Sequence, residues 1–246
     1  MTLPAIAQPL LDEIARRADS GKPLRLWLRD DDAIEPTAAL DQLLTLTAAH
    51  DVPVLLAAIP ALTGQALADR LAGERRVLVA VHGWAHKSYA GAGEKNQELG
   101  DHRPAQEVLR ELGEGFAILS GLHAGRFVPM LVPPWNRIAP SVTAGLPGIG
   151  FRALSVFGPE KPAPLTMLNT HVDIIDWRGT RGGRQVEAVI ADLVRVSQAQ
   201  AGPIGLLTHH LVHDRAAWDV MELVLEATAG RADCGWFGVD DLLTEI

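Results

Sequence analysis

The segment that decides the fold runs Val77-Leu78-Val79-Ala80-Val81-His82-Gly83-Trp84-Ala85-His86. Its apolar half reads as a buried strand, and the polar cluster begins where that strand runs out. A second segment has the same design: Leu24-Arg25-Leu26-Trp27-Leu28-Arg29 followed by Asp30-Asp31-Asp32. In parallel α/β folds, chemistry gathers at the carboxyl ends of the strands. Two imidazoles four residues apart, with a carboxylate from a neighbouring strand, can grip one divalent metal ion on one side. The remaining coordination positions stay open for water and substrate.

Outward from these two segments, strand-like and helix-like stretches alternate. A helix is expected over 37–50, where Leu40, Leu43, Leu44 and Thr47 share one face. Val52–Ile59 reads as a strand stopped by Pro60, and a helix over 63–72 ends at Gly73. Residues 87–103 are polar and Gly-rich and read as a long surface loop. A helix over 104–122 follows, burying Val108, Leu112, Phe116 and Leu119. Further strands are expected at 127–132, 150–155, 168–174 and 204–208, with a last one at 234–239. Helices are expected over 185–199 and 218–229, with a short one at the end of the chain. This β-then-α rhythm predicts a mostly parallel sheet, and about seven or eight strands point to a distorted barrel. No linker or internal repeat interrupts residues 1–246, so one domain is expected.

Composition narrows the function. A net charge of −8 excludes the basic face that nucleic acid requires. Cys234 is the only cysteine, which excludes an intrachain disulfide and a Cys-rich zinc site and fits a reducing cytoplasm. The first twenty residues read as an amphipathic helix rather than a signal peptide. No apolar run approaches the roughly 18 residues needed to cross a bilayer.

Three more clusters sit at strand ends. His209, His210 and His213 follow Ile204–Thr208, and imidazole suits proton donation near neutral pH. Asp173, Asp176 and Trp177 follow the strand around Leu168–Val172. Pro133-Pro134-Trp135-Asn136-Arg137 forms a rigid elbow after Phe127–Val132. Each has an ordinary alternative: solvated loop histidines, a capping turn with a core tryptophan, a tight connection.

Taken in order, the Asp pair, HxxxH, Pro-rich elbow, DxxDW and late His resemble the polysaccharide deacetylases, the NodB-homology family 4 carbohydrate esterases. The resemblance runs from Leu24 to about His213. It implies an α/β fold, a distorted (β/α) barrel of about seven strands, and metal-dependent hydrolysis of acetyl groups on sugars. It implies Asp30 as general base and His209 as general acid, with Asp31, His82 and His86 as metal ligands. Trp135, Asn136, Asp173 and Trp177 would meet the substrate. Two frames stay open: the pair could be Asp31 and Asp32, and the acid His209 or His210. Zinc is the expected metal, with cobalt, iron, manganese and nickel compatible with the same ligands. The expected partner is a small-molecule or oligosaccharide substrate, with no nucleic acid or membrane.

The chain departs from the family pattern at three places. Gly83 stands where Ser or Thr is usual, Asp32 where Gly is usual, and Val132 where an arginine normally orients the base. Arg137 and Arg29 are the candidate substitutes. The loop charges from Glu94 and Lys95 to Glu98 and Arg103 read by default as a solvated lid, with extra substrate contacts as the alternative. Competing functions are an amide hydrolase acting on a non-carbohydrate, a carbohydrate-binding protein without catalysis, and a non-haem iron oxygenase. The β/α alternation opposes the last of these.

Overall fold

The computed structural model describes residues 3–245. The strands are β1 Leu24–Ala33, β2 Val54–Ala58, β3 Val77–His82, β4 Phe127–Val132, β5 Ala153–Leu154, β6 Thr166–Met167, β7 Thr170–Asp173, β8 Ile204–Thr208 and β9 Cys234–Trp236. The helices are α1 Gln8–Asp19, α2 Ala38–Ala49, α3 Gln65–Leu71, α4 Ala105–Leu122, α5 Pro140–Thr143, α6 Val186–Ala199, α7 Arg215–Thr228 and α8 Val239–Thr244. Met1 and Thr2, the start of the expected first helix, lie outside the described residues. The chain forms two compact, interleaved units: residues 1–30, 37–54 and 170–238, and residues 31–36, 55–169 and 239–246. The division falls inside β1, between Asp30 and Asp31.

In the first unit, β8 pairs in parallel with both β1 and β7, and β9 adds to the start of β1. The register sets Asp30 opposite Thr208. Near-continuous burial of β1 and β8 is what a strand covered on both faces requires. Thr37 caps α2 by accepting the Leu40 N–H at 3.0 Å. Asp214 accepts the N–H groups of Ala217 and Gly183, each at 2.9 Å. That cap explains why α7 starts at Arg215 rather than at Trp218, where apolar periodicity becomes visible. Helix α1 is tied to α6 by buried polar groups. Arg17 donates to the carbonyls of Ser197 (3.1 Å) and Gln200 (3.0 Å), while Glu13 accepts from Ser197 Oγ at 2.6 Å.

The second unit holds β2 to β6 in spatial order, with β3 to β6 in parallel register and His82 opposite Val132. Helix α4 packs its Val108, Leu112 and Leu119 inward as its spacing predicts. Phe116 is only half-buried, set edge-on to Phe127 and Phe151. The strand expected over 150–155 shrinks to Ala153–Leu154. Gly150 takes a left-handed φ of 102° to close a 3-10 turn over Leu146–Ile149, so the chain extends only afterwards. The strand expected over 168–174 is confined to Thr170–Asp173; just before it, the Asn169 side chain accepts from Val156 N and donates to Gly158 O. β6, at Thr166–Met167, lies ahead of the expected range.

No helix among the described residues is long and apolar enough to cross a membrane. Cys234 is buried, and burial pushes its thiol up to about 12, so it offers no thiolate nucleophile at neutral pH.

The buried Glu13 carboxyl makes stability depend on acid pH. The hydrogen bond from Arg16 is the main cause that lowers the Glu13 carboxyl from 4.5 to about 2; Ser197 and Gln198 assist and burial opposes. A depressed carboxyl stabilises the fold above its unfolded value and loses that contribution as pH falls from 4.5 towards 2. Chemical denaturation of wild type should show a loss on the order of 3 kcal/mol from this group over that window. Glu13→Gln should flatten this part of the profile; an unchanged profile contradicts the assignment.

Candidate metal centre and candidate acid–base residues

In the second unit, one ligand atom from each of Asp32, His82 and His86 falls within 4.8 Å of the others. Asp32 Oδ1 is 3.1 Å from His82 Nε2 and 3.3 Å from His86 Nε2. The carboxylate that meets both imidazoles is therefore Asp32, one residue beyond the expected ligand Asp31. The reason lies in the backbone. β1 runs on through all three aspartates, and Asp32 takes a left-handed φ of 70°, which redirects its side chain. This is the second of the two frames the sequence left open.

The surroundings of the trio favour a cation. His82 is buried, and its Nδ1 donates to the Val132 carbonyl at 2.9 Å. A carbonyl can only accept, so Nδ1 carries the proton and Nε2 of the neutral ring presents a lone pair. That lone pair faces a carboxylate oxygen, an opposition that a bound cation relieves. Burial pushes the His86 imidazole below its usual value, with His82 acting the same way and Asp32 opposing. Burial thus favours the neutral His86 ring that a metal requires. The Trp135 ring packs on His86 with centroids 4.3 Å apart. Trp135 and Asn136 both have left-handed φ values, 54° and 55°, so the elbow turns sharply beside the histidines.

Glu98 organises this turn, a role that its place in a polar loop did not reveal. Its side chain is buried and accepts from the N–H groups of Ala85 (2.8 Å), Trp84 (3.1 Å) and Lys87 (3.4 Å). The departure at Gly83 follows. Gly83 has φ 60°, and a Cβ there would lie 2.1 Å from Glu98 Oε2 and 2.6 Å from Pro134 Cγ. The loop is anchored rather than a solvated lid. Ala139 N donates to Leu99 O at 2.8 Å, and Arg137 donates to Asn96 O at 2.8 Å. Arg137 is thereby committed to the loop. Val132, in the place of the usual arginine, contributes its carbonyl to His82. A buried acid flanked by Gly83 is the signal that pairs these positions.

In the first unit, the expected base Asp30 is fully buried, and both of its oxygens are engaged by one residue. Oδ1 meets His210 Nδ1, and Oδ2 accepts the His210 N–H at 2.8 Å. Both Asp30 oxygens are thus committed to His210 rather than to water. Asp31 is also buried, at 2% exposure. His209 has its ring edge-on to Trp177, centroids 4.7 Å apart, and Trp177 Nε1 donates to Asp173 Oδ2 at 2.9 Å. The structure thus joins Asp173, Trp177 and His209 in one cluster, with Trp177 40% exposed. His213 is bound to Thr208 and packed on Trp218. Burial is the main cause that lowers its imidazole to about 4, so it stays neutral near pH 7.

Removing the clasp should loosen the metal trio without touching it. Glu98→Ala, which removes the acceptor of three N–H groups of the turn, should weaken the binding of added zinc about 10-fold or more in competition titrations. Gly83→Ala, which drives a methyl group into the same carboxylate, should do likewise. Wild-type affinity in both variants contradicts the role given to Glu98.

No family model matches the chain, and no curated protein sequence does. Solved structures match over nearly its whole length. A putative polysaccharide deacetylase from Mycobacterium smegmatis aligns with TM-score 0.70 and 15% identity, covering 92% of this chain and 91% of that one. A family 4 acetyl xylan esterase from Clostridium thermocellum, in complex with a cobalt ion, gives 0.58 and 13%, covering 90% and 91%. A mutant of a family 4 pseudoenzyme with restored activity gives 0.57 and 12%, covering 84% and 62%. The chain therefore has the α/β fold of the NodB-homology polysaccharide deacetylases, the distorted (β/α) barrel of the family 4 carbohydrate esterases.

Proposed function

We propose that the protein is a metal-dependent deacetylase that removes an acetyl group from the nitrogen of an amino sugar or oligosaccharide. The observation that carries this reading is the convergence of Asp32, His82 and His86, with the His82 tautomer set by Val132. The fold supports it, because the solved structures that share it include deacetylases and an acetyl xylan esterase.

In this proposal Asp32, His82 and His86 hold the ion, and zinc is the metal their nitrogen and oxygen donors suit best. A divalent ion bound there would supply Lewis acidity, polarising the acyl carbonyl and acidifying water. Asp31 takes the base role in place of Asp30, whose oxygens are both committed to His210. Water adds to the acyl carbon while Asp31 takes its proton. The carbon–nitrogen bond then breaks, and His209 gives a proton to the departing nitrogen. Without that proton an amide anion would have to leave, which is why an acid is needed. Trp135 and Trp177 offer flat faces suited to sugar rings, with Asn136 and Asp173 beside them.

Zinc-loaded wild type should contain about one equivalent of metal and release acetate from an acetylated chito-oligosaccharide. His82→Ala/His86→Ala should lose both metal and activity. Asp31→Asn should keep the metal and lose about 100-fold or more in kcat. If Asp31→Asn stays active and Asp30→Asn does not, the base assignment reverts to Asp30. A wild type that binds no metal after reconstitution overturns the deacetylase reading and leaves a binding protein on this fold.

A further inference from the structure

The buried Asp30–His210 pair is left without a task once the base role passes to Asp31. Its geometry gives it one. Asp30 grips His210 at two points, the imidazole Nδ1 and the backbone N–H. Both side chains are fully buried. The backbone N–H belongs to the peptide that directly follows His209, so the grip fixes where the chain turns out of β8. Upstream, Asp30 and Thr208 are register partners across β1 and β8. Downstream, the chain enters a 3-10 turn over His210–Val212, with Val212 N donating back to His209 O at 3.0 Å. His209 itself has a non-helical φ of −146° and ψ of 90° at the start of that turn. On its other side its ring rests edge-on against Trp177, which Asp173 holds in place.

We infer that Asp30 and His210 are positioning residues for His209, an internal brace that sets the backbone from which the general acid projects. The inference rests on the proposed deacetylase reading, in which His209 protonates the leaving nitrogen. The pair itself touches no substrate. A buried carboxylate and a buried imidazole are costly to desolvate separately, and here the carboxylate meets the Nδ1 side of the ring. Loss of either partner leaves the remaining polar group buried without its mate, so the strand end and the turn must shift. A positional error of about 1 Å in a catalytic group is enough to cost on the order of 100-fold in rate.

Two substrates separate this role from a general loss of structure. An acetyl amide needs a proton on its leaving nitrogen, whereas the phenolate released from p-nitrophenyl acetate leaves without one. Asp30→Ala and His210→Ala should lower kcat on an acetylated chito-oligosaccharide about 30-fold or more while p-nitrophenyl acetate falls by less than about 3-fold. KM should change little for either. Asp30→Asn keeps an acceptor for the His210 N–H and should recover most of the amide activity, with thermal unfolding confirming that it folds. In a His209→Ala background, Asp30→Ala should add little further loss on the amide, because both act through one group. Equal losses on both substrates, no loss on the amide, or full additivity with His209→Ala overturns the inference. A crystal structure of Asp30→Ala or Asp30→Asn decides it without turnover. Displacement of the His209 ring from Trp177 in the alanine variant, and its return in the asparagine variant, is expected; an unmoved ring in the alanine variant overturns the brace. A loaded wild type inactive on both substrates refutes the deacetylase reading separately, and the crystallographic comparison still decides the brace.

Discussion

Three adjacent carboxylates cannot share one poorly solvated strand end unless each meets a different partner. Like charges a few ångströms apart repel, and burial makes the repulsion stronger. At the end of β1 two of the three take visibly different environments. Asp30 is closed into the first unit against His210. Asp32 turns through a left-handed backbone conformation to stand between His82 and His86. Asp31, buried between them in sequence, is the one our reading assigns to proton transfer with water. The different functions proposed for the three carboxylates rest on these different surroundings.

The same logic of supplying donors to a buried acid shapes the second unit. Glu98 collects N–H groups from Trp84, Ala85 and Lys87, in the turn that carries His86. The turn can take that path only because Gly83 has no side chain and tolerates a positive φ. The polar loop therefore holds the site from behind, with Arg137 and Leu99 fastening it to the Pro-rich elbow. Gly83 and Glu98 make sense as a pair. A larger residue at 83 and a carboxylate at 98 would compete for the same space.

Much of the fold was legible because burial writes a period into the chain. Phe127–Val132 and Ile204–Thr208 were read with their observed bounds, and α2, α4 and α6 to within about two residues. Sequence reading ends β1 at Arg29 because charge commonly marks a turn, yet the strand runs four residues further, through all three carboxylates to Ala33. β5 and β6 are two-residue strands, too short to show any periodicity. The start of α7 was set by the Asp214 cap, a polar signal outside the apolar pattern.

The sequence by itself determined the β/α alternation, the HxxxH at one strand end, the carboxylates at another and the histidines at a third. These are properties of residue type and spacing, which the chain carries before it folds. Tertiary structure decided which aspartate faces the imidazoles, which of His209 and His210 is closed away, and that Glu98 is a buried clasp. Spacing cannot decide these points. Neighbouring side chains of like chemistry differ only in the direction in which the folded backbone turns them and in the donors that meet them there.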